Sequence, residues 1–324
     1  MNKICYVTAF LDLNREKWDI WESRNNDSYI RAFSRYLPLF ALYPDKYEMF
    51  VYIDYSLLQT LKELCENITN VHLVPINQEF LQENSLLWRR LPREQEIMSS
   101  REFRELMKHR LDYPEVSIPQ YNMINHAKID LVCFSMQMTD ADILGWVDFG
   151  YLKNTENIPD RLVDSNKLYS NRINFSLVNL VKLPHYNIKN TLISAPEVVE
   201  GGFFFGNRTA LLKYQKLYHE THAMFQKQDI ADDDQHVVLQ AYRASPGLFH
   251  MIYQGKWLQS MRYFQVSVNQ PKFLVYLSGG LGNQIFQIAN GYALARRFSG
   301  TFSILDKPEH DFRQGNKPEK YRNT

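Results

Sequence analysis

Four short runs of apolar, β-branched and aromatic residues punctuate the first half of this chain: Ile4–Phe10, Glu48–Tyr55, Val71–Ile76 and Leu144–Tyr151. Between the first three lie stretches of helical spacing. Tyr29–Tyr43 stops near Pro44, with Ser28 as its candidate cap, and Leu57–Cys65 follows Asp54. Parallel strands cannot be joined by a tight turn and need a crossover helix, so this β–α–β–α–β succession predicts an α/β fold with a mostly parallel sheet flanked by helices. Ligands in such sheets bind at the carboxyl ends of the strands. The acids there are Asp12, just past the first run, Asp54 at the end of the second, and Asp148 in Trp146-Val-Asp-Phe-Gly-Tyr151.

The rest of the chain keeps that rhythm. Leu86–Leu111 is charged and helical and reads as an insertion or lid. Gln120–Met138 has the spacing of one long helix leading into Leu144–Tyr151, and a further strand is expected around Lys167–Asn174. Glu200–Gly206 is an apolar strand flanked by glycines, followed by a helix over Thr209–Phe225. Asp232, Asp233 and Asp234 precede a helix over Gln235–Tyr242, and Leu248–Tyr253 reads as the last strand of this part. After Pro271 the pattern restarts: strand Phe273–Leu277, glycine-rich turn Ser278–Asn283, helix Gln284–Phe298, strand Phe302–Leu305 and a polar tail from Lys307. Two domains are expected, 1–268 and 269–324, the second read as the opening piece of a longer domain.

Charge excludes some partners. The 37 Lys and Arg against 36 Asp and Glu leave no field for nucleic acid. The three cysteines, Cys5, Cys65 and Cys133, are far apart and read as buried free thiols of a reducing compartment. No run reaches the ~18 apolar residues of a membrane span. The apolar start is too short for a signal peptide and reads as a first strand, so a cytoplasmic location is expected.

Asp148-Phe-Gly150 has the letters of the magnesium-binding tripeptide of protein kinases, but the glycine-rich loop, strand lysine and His-Arg-Asp of a kinase are missing. A strand-end acid also suits a nucleotide-sugar site, where it holds Mn2+ or Mg2+ against the diphosphate or binds ribose and sugar hydroxyls. Gly150 stands where a second metal-binding acid would be, so the motif supports donor binding better than metal dependence; Asp148 is the candidate metal ligand, and an acid of the Asp232–Asp234 triple could join it at a cation. The plain alternative is a turn residue. Glu200 beside Gly201 and Gly202 joins an acid to backbone that a ligand can approach closely, or is a strand-edge turn. The Asp232–Asp234 triple suits helix capping, yet three adjacent carboxylates exceed the need of one cap, and one of them is a candidate general base. Lys128 could neutralise a phosphate, and His126 beside it is a further candidate. Arg24 and Asn25 are others, with Trp18 and Trp21 read as core. Gly279–Gln284 lacks the spacing of dinucleotide and P-loop fingerprints.

Two resemblances add to this reading. Tyr6–Arg15, Trp146–Tyr151, Glu200–Gly206 and the acidic helix start after them resemble the bacterial HtrL/YibB family over about residues 1–260. That resemblance implies a glycosyltransferase-like protein of the GT-A fold, linked to surface-polysaccharide synthesis. Its donor-site residues would be Thr8, Ala9, Phe10, Asp12, Asp54, Lys128, Trp146, Asp148, Gly150, Gly201 and Gly202. Ser278-Gly-Gly-Leu-Gly-Asn-Gln-Ile-Phe-Gln-Ile-Ala-Asn-Gly-Tyr-Ala-Leu-Ala295 resembles the amino-terminal signature of α-1,2-fucosyltransferases, which are GT-B enzymes using GDP-fucose. Their downstream His-x-Arg-x-x-Asp motif does not occur before Thr324. The expectation is the front part of a bifunctional glycosyltransferase, taking a nucleotide-diphosphate sugar donor and a glycan acceptor. Asp232, Asp233, Asp234 and Glu200 are its catalytic candidates. The rivals are a metal-dependent nucleotide-sugar phosphohydrolase and a non-catalytic nucleotide- or glycan-binding module.

Overall fold

Alternation along β1 (Ile4–Phe10) sets the layers of the molecule, because successive side chains on a strand point to opposite faces. Cys5, Val7 and Ala9 join one apolar cluster, while Ile4, Tyr6 and Phe10 join another. Helices Pro119–His126, Lys128–Ser135, Arg208–Lys227 and Asp234–Ala244 cover the first face. Helices Asn26–Ser34, Leu37–Ala41, Leu58–Cys65 and Ser260–Phe264 cover the second. The structure is a computed structural model, and it describes residues 3–18, 24–154, 158–159, 161–169, 171–179, 188, 197–265, 272–277, 279–297 and 301–305. Trp21, Ser278, Phe298 and the tail from Lys307 lie outside the described residues.

The chain divides into two units, Met1–Val266 and Ser267–Thr324. The first holds a seven-stranded sheet in the order β3-β2-β1-β4-β6-β5-β7. Its strands besides β1 are β2 (Tyr47–Asp54), β3 (Val71–Ile76), β4 (Ile143–Val147), β5 (Ile173–Leu177), β6 (Phe203–Asn207) and β7 (Phe249–Tyr253). Strands β3, β2, β1 and β4 are parallel, and β5 is parallel to β7. Strand β6 runs antiparallel to β4 and β5. This is the α/β, mostly parallel and helix-flanked sheet expected. The single reversed strand is what brings Gly202 beside the end of β4.

Several local expectations are corrected. The run Tyr29–Tyr43 is two helices, and Asn25, not Ser28, caps the first by accepting from Ser28 N at 2.8 Å. Gln120–Met138 is also two helices, broken at Ala127, whose ψ is −11°. The strand expected around Lys167–Asn174 begins only at Ile173, after a 3-10 turn over Ser165–Lys167. Glu200–Gly202 precedes β6 as a turn. Leu86–Leu111 forms a 3-10 turn and two short helices whose Ile97, Met98, Phe103 and Met107 make a small core with Val116 and Ala231. That core holds the chain immediately before Asp232. Cys5 and Cys65 are buried free thiols, and Cys133 is free and half-buried.

In the second unit β8 (Lys272–Tyr276) and β9 (Thr301–Leu305) are parallel, joined through helix Leu281–Arg297. Gly279 takes φ 82°, a left-handed conformation that favours glycine, where the chain leaves β8. Among the described residues no helix is long and apolar enough to cross a membrane.

Candidate active site

Strand β4 delivers two side chains to one face at the carboxyl edge of the sheet. Trp146 and Asp148, two residues apart, point the same way, and the indole Nε1 donates to Asp148 Oδ1 at 2.7 Å. The Asp148 amide donates to Gly202 O at 2.9 Å, continuing the β4–β6 pairing to its last residue. Tyr36 OH donates to Asp148 O at 3.2 Å from the opposite layer. Phe149 then turns to that layer and stacks between Phe10 and Phe33, at 4.9 and 4.7 Å between ring centroids. Gly150 is needed next, since a Cβ there would lie 2.6 Å from ring carbons of Tyr29. Arg35 donates to the carbonyls of Leu152 and Lys153 and fixes the end of the turn. The acid therefore stands on a rigid strand end.

Lys128 supplies its counter-charge. The break at Ala127 starts a new helix at Lys128, whose buried ammonium lies 3.0 Å from Asp148 Oδ1, 2.7 Å from Asp234 Oδ2 and 3.2 Å from Gly201 O. Burial works against this charge most strongly, but Asp148 and Asp234 outweigh it and hold the ammonium above the ordinary lysine value. Burial pushes Asp234 up to about 6, against the pull of Lys128. The two glycines before β6 let backbone pass between these acids. A Cβ on Gly201 would lie 2.6 Å from Asp234 Oδ1, and one on Gly202 would lie 2.9 Å from Asp148 Oδ2. Their role is close approach to side chains of the site itself.

The acidic triple splits by task. Asp233 caps helix Asp234–Ala244, accepting from Gln235 N and Nε2 at 3.1 Å each. Its carboxyl is pushed up to about 8 by burial and then by Asp232 and Asp234. Asp232 is buried, bonded through Oδ2 to His236 Nδ1, and its carbonyl accepts from His126 Nε2 at 2.9 Å. A carbonyl only accepts, so His126 carries its proton on Nε2 and Nδ1 accepts from Tyr218 OH at 2.7 Å. Burial draws His126 down to about 4, which keeps it neutral. His126 is thus a buried structural partner of the acidic loop. Glu200 is wholly buried, bonded to Ser260 Oγ at 2.7 Å, and burial raises it to about 7.

A cavity of about 150 Å³ opens at the carboxyl ends of β1 and β4. Of the residues expected at a donor site, Ala9, Phe10, Lys128, Trp146, Asp148 and Gly150 line it. Thr8 does not, being wholly buried within β1. Asp12 and Asp54 meet each other instead: Asp12 N donates to Asp54 Oδ2 at 3.2 Å, and Asp54 caps the turn at Ser56. Gly201, Gly202, Glu200 and the acidic triple stand behind or beside the lining, with Asp234 joined to it through Lys128. Asn25 serves as a helix cap. Sequence reasoning missed Arg15, Tyr29, Tyr121 and Lys153, all of which line the cavity. The position of Arg15 in the loop after β1 was the available signal.

A divalent metal fits Asp148 poorly, because its Oδ1 already accepts from Trp146 and Lys128 and a dication would lie beside an ammonium. Among the described residues, Asp232, Asp233 and His236 form the one group of three whose ligand atoms lie within 4.8 Å of one another. There Asp232 and His236 are bonded to each other and Asp233 to Gln235.

These features define an α/β protein with a cationic cavity and a fixed acid at the carboxyl edge of its parallel strands. Residues 2–266 match the family model described as "Bacterial protein of unknown function (HtrL_YibB)", and the chain belongs to that family. It is 23% identical over 276 residues to Protein HtrL of Escherichia coli, covering 80% of this chain and 91% of that one. Solved structures similar to it include mouse xyloside xylosyltransferase 1 in its apo form, at 8% identity and a TM-score of 0.39, covering 93% of this chain and 94% of that one. The galactosyltransferase LgtC in complex with donor and acceptor sugar analogs matches at 14% identity and a TM-score of 0.38, covering 92% and 83%. Likenesses of that size carry no inference about this chain.

Proposed function

We propose that this protein is a glycosyltransferase of GT-A-like organisation that moves a sugar from a nucleotide-diphosphate donor to a hydroxyl of a glycan. The observation that carries this reading is the triad of Lys128, Asp148 and Asp234 at the carboxyl edge of β4, opening into a cavity that also holds Arg15 and Lys153. Cations in the cavity suit a diphosphate, and one fixed carboxylate suits hydroxyls of ribose or sugar. In the reaction, the bond from the anomeric carbon to a diphosphate oxygen breaks and a bond to the acceptor oxygen forms. The acceptor proton passes to a carboxylate, and the nucleoside diphosphate leaves with the negative charge. The acidic triple Asp232–Asp234 beside the cavity supplies the candidates for that carboxylate. Asp148 orients the donor, and Lys128 bridges Asp148 and Asp234.

One observation favours a second reading. Asp232, Asp233 and His236 offer a ligand set for Mn2+ or Mg2+, as a metal-dependent nucleotide-sugar phosphohydrolase would need. For residues 267–324 the reading is a fucosyltransferase-like opening, supported by the parallel β8 and β9 joined through a glycine turn and helix.

A panel of nucleotide-diphosphate sugars, followed for nucleotide release with and without glycan acceptors, separates the two readings. Release that rises with acceptor and matches sugar incorporation supports transfer. Release that ignores acceptor and stops with a chelator supports hydrolysis.

A further inference from the structure

We propose that Arg15, together with Lys153, is the seat of a diphosphate group, and that this seat binds pyrophosphate and nucleoside diphosphates without a divalent ion. The inference rests on the nucleotide-sugar reading for its biological ligand, but on Arg15 for its chemistry.

After β1 the chain turns through Asn14, whose φ is 55°, into a 3-10 turn that starts at Arg15. The guanidinium is drawn inward and packs over three rings, with Cζ 5.0 Å from the Phe10 centroid, 4.7 Å from Trp18 and 4.8 Å from Tyr29. Arg15 is only 6% exposed, yet its Nε and Nη1 have no hydrogen-bond partner. Lys128, the other buried cation among the described residues, has carboxylate oxygens at 3.0 and 2.7 Å. Arg15 has aromatic faces instead. Faces attract a cation but accept none of its N–H bonds, so the donors are left unsatisfied. A buried guanidinium held in this way is an incomplete structure, and an oxyanion completes it: the planar fork matches two phosphate oxygens and loses little freedom on binding because the rings already orient it.

Lys153 supplies the second charge. Its Nζ lies 3.4 Å from the centroid of the same Tyr29 ring, and it lines the same cavity. Burial, then Arg24 and Arg15, draw its ammonium down to about 7, against the pull of Asp148. Lys128, the third cation of the cavity, is already committed to Asp148 and Asp234. Arg15 and Lys153 together supply one cation for each phosphate of the diphosphate diester in a nucleotide sugar. An anion seated there finds its counter-charge within the chain, where a metal would otherwise supply it.

Titration calorimetry on the full chain in EDTA, with inorganic pyrophosphate and then with UDP and GDP as probes, tests this. Pyrophosphate is expected to bind saturably. Arg15→Met should weaken it by about tenfold to a hundredfold, the range for lost charge-assisted hydrogen bonds. Lys153→Met should weaken it by about tenfold, and Arg93→Met on the surface should leave it unchanged. If Arg15→Met does not fold, Arg15→Lys, which keeps the charge but loses the fork, and Lys153→Met carry the same test. No binding in EDTA, or equal binding to the wild type and these variants, overturns the proposal. Pyrophosphate has neither base nor sugar, so its binding stands even if no sugar is transferred. Conversely, sugar transfer with an unchanged donor KM in Arg15→Met would keep the glycosyltransferase reading and remove this one.

Discussion

The ammonium of Lys128 lies 3.0 Å from Asp148 Oδ1, and the same ammonium lies 2.7 Å from Asp234, so one buried cation ties the end of β4 to the start of the helix at Asp234. The pairing makes Asp148 a fixed acceptor instead of a mobile surface acid. Lys128→Met leaves Asp234 buried with its negative charge uncompensated, and losses of about 3–5 kcal/mol are the measured range for breaking such a pair. Urea unfolding of Lys128→Met should show a fall of that order, and adding Asp234→Asn should recover part of it. A double variant no more stable than Lys128→Met would mean that the two groups do not act together.

Glycines beside the site separate fold from chemistry. A Cβ on Gly145, in the middle of β4, would come within 2.2 Å of the Phe205 ring and 2.3 Å of the Phe204 carbonyl, so Gly145→Ala should lower stability severely or abolish folding. A Cβ on Gly202 would instead press on Asp148 Oδ2, the free end of a side chain. Gly202→Ala should fold with a melting temperature within a few degrees of wild type while losing most activity. Equal melting losses in both variants would deny that Gly202 serves the position of Asp148.

Phe149 anchors the turn that follows the acid, stacked between Phe10 and Phe33. Phe149→Ala removes a fully buried ring, for which about 3–5 kcal/mol is typical. Chemical denaturation should show that loss, and limited proteolysis should cut near 149–153 sooner than in the wild type.

Burial gives the stability a definite pH dependence. Glu94 is wholly buried and raised to about 7 by burial, despite bonds from Gln226 and Asn122. Its folded value lies above its unfolded one, so between the ordinary glutamate value and about 7 the folded state holds a proton that the unfolded state has released. Stability therefore falls as pH rises through that window. His126 acts in the opposite sense: its value is lowered to about 4, so stability falls as pH drops from the ordinary histidine value toward 4. Glu94→Gln should remove the first loss, and unfolding curves at pH 5 and pH 7.5 should then differ by less than in the wild type. An unchanged difference would show that Glu94 titrates normally.

Much of this was legible in the sequence because it is local. Strands β1 and β3 run over Ile4–Phe10 and Val71–Ile76, the residues expected from apolar runs. The helix break at Ala127 carries no Pro or Gly to announce it, and alanine is the best helix former, so the break follows from tertiary pairing of Lys128. The direction of β6 was equally unmarked, since pairing sense depends on a partner distant in the chain. Asp148 and Gly150 were singled out by their place at a strand end and turn, and Lys128 by its place on the helical stretch that leads into that strand. Arg15 and Lys153 were not, because an arginine in a polar loop resembles a solvated residue until the rings of Phe10, Trp18 and Tyr29 close around it. Asp12 and Asp54 had the same strand-end signal as Asp148 but serve each other and a turn.

The most direct measurement is sugar transfer by Asp148→Asn, read as nucleotide release and product formation on the donor and acceptor to which the wild type responds. Asparagine keeps the size of the side chain and an oxygen for the Trp146 indole, but loses the charge beside Lys128. The account predicts a folded protein, with circular dichroism like that of the wild type, whose transfer falls by at least about a hundredfold, the scale of removing a charged group that acts on the reacting substrate. Full transfer by folded Asp148→Asn would contradict the central claim that this strand-end carboxylate organises the donor.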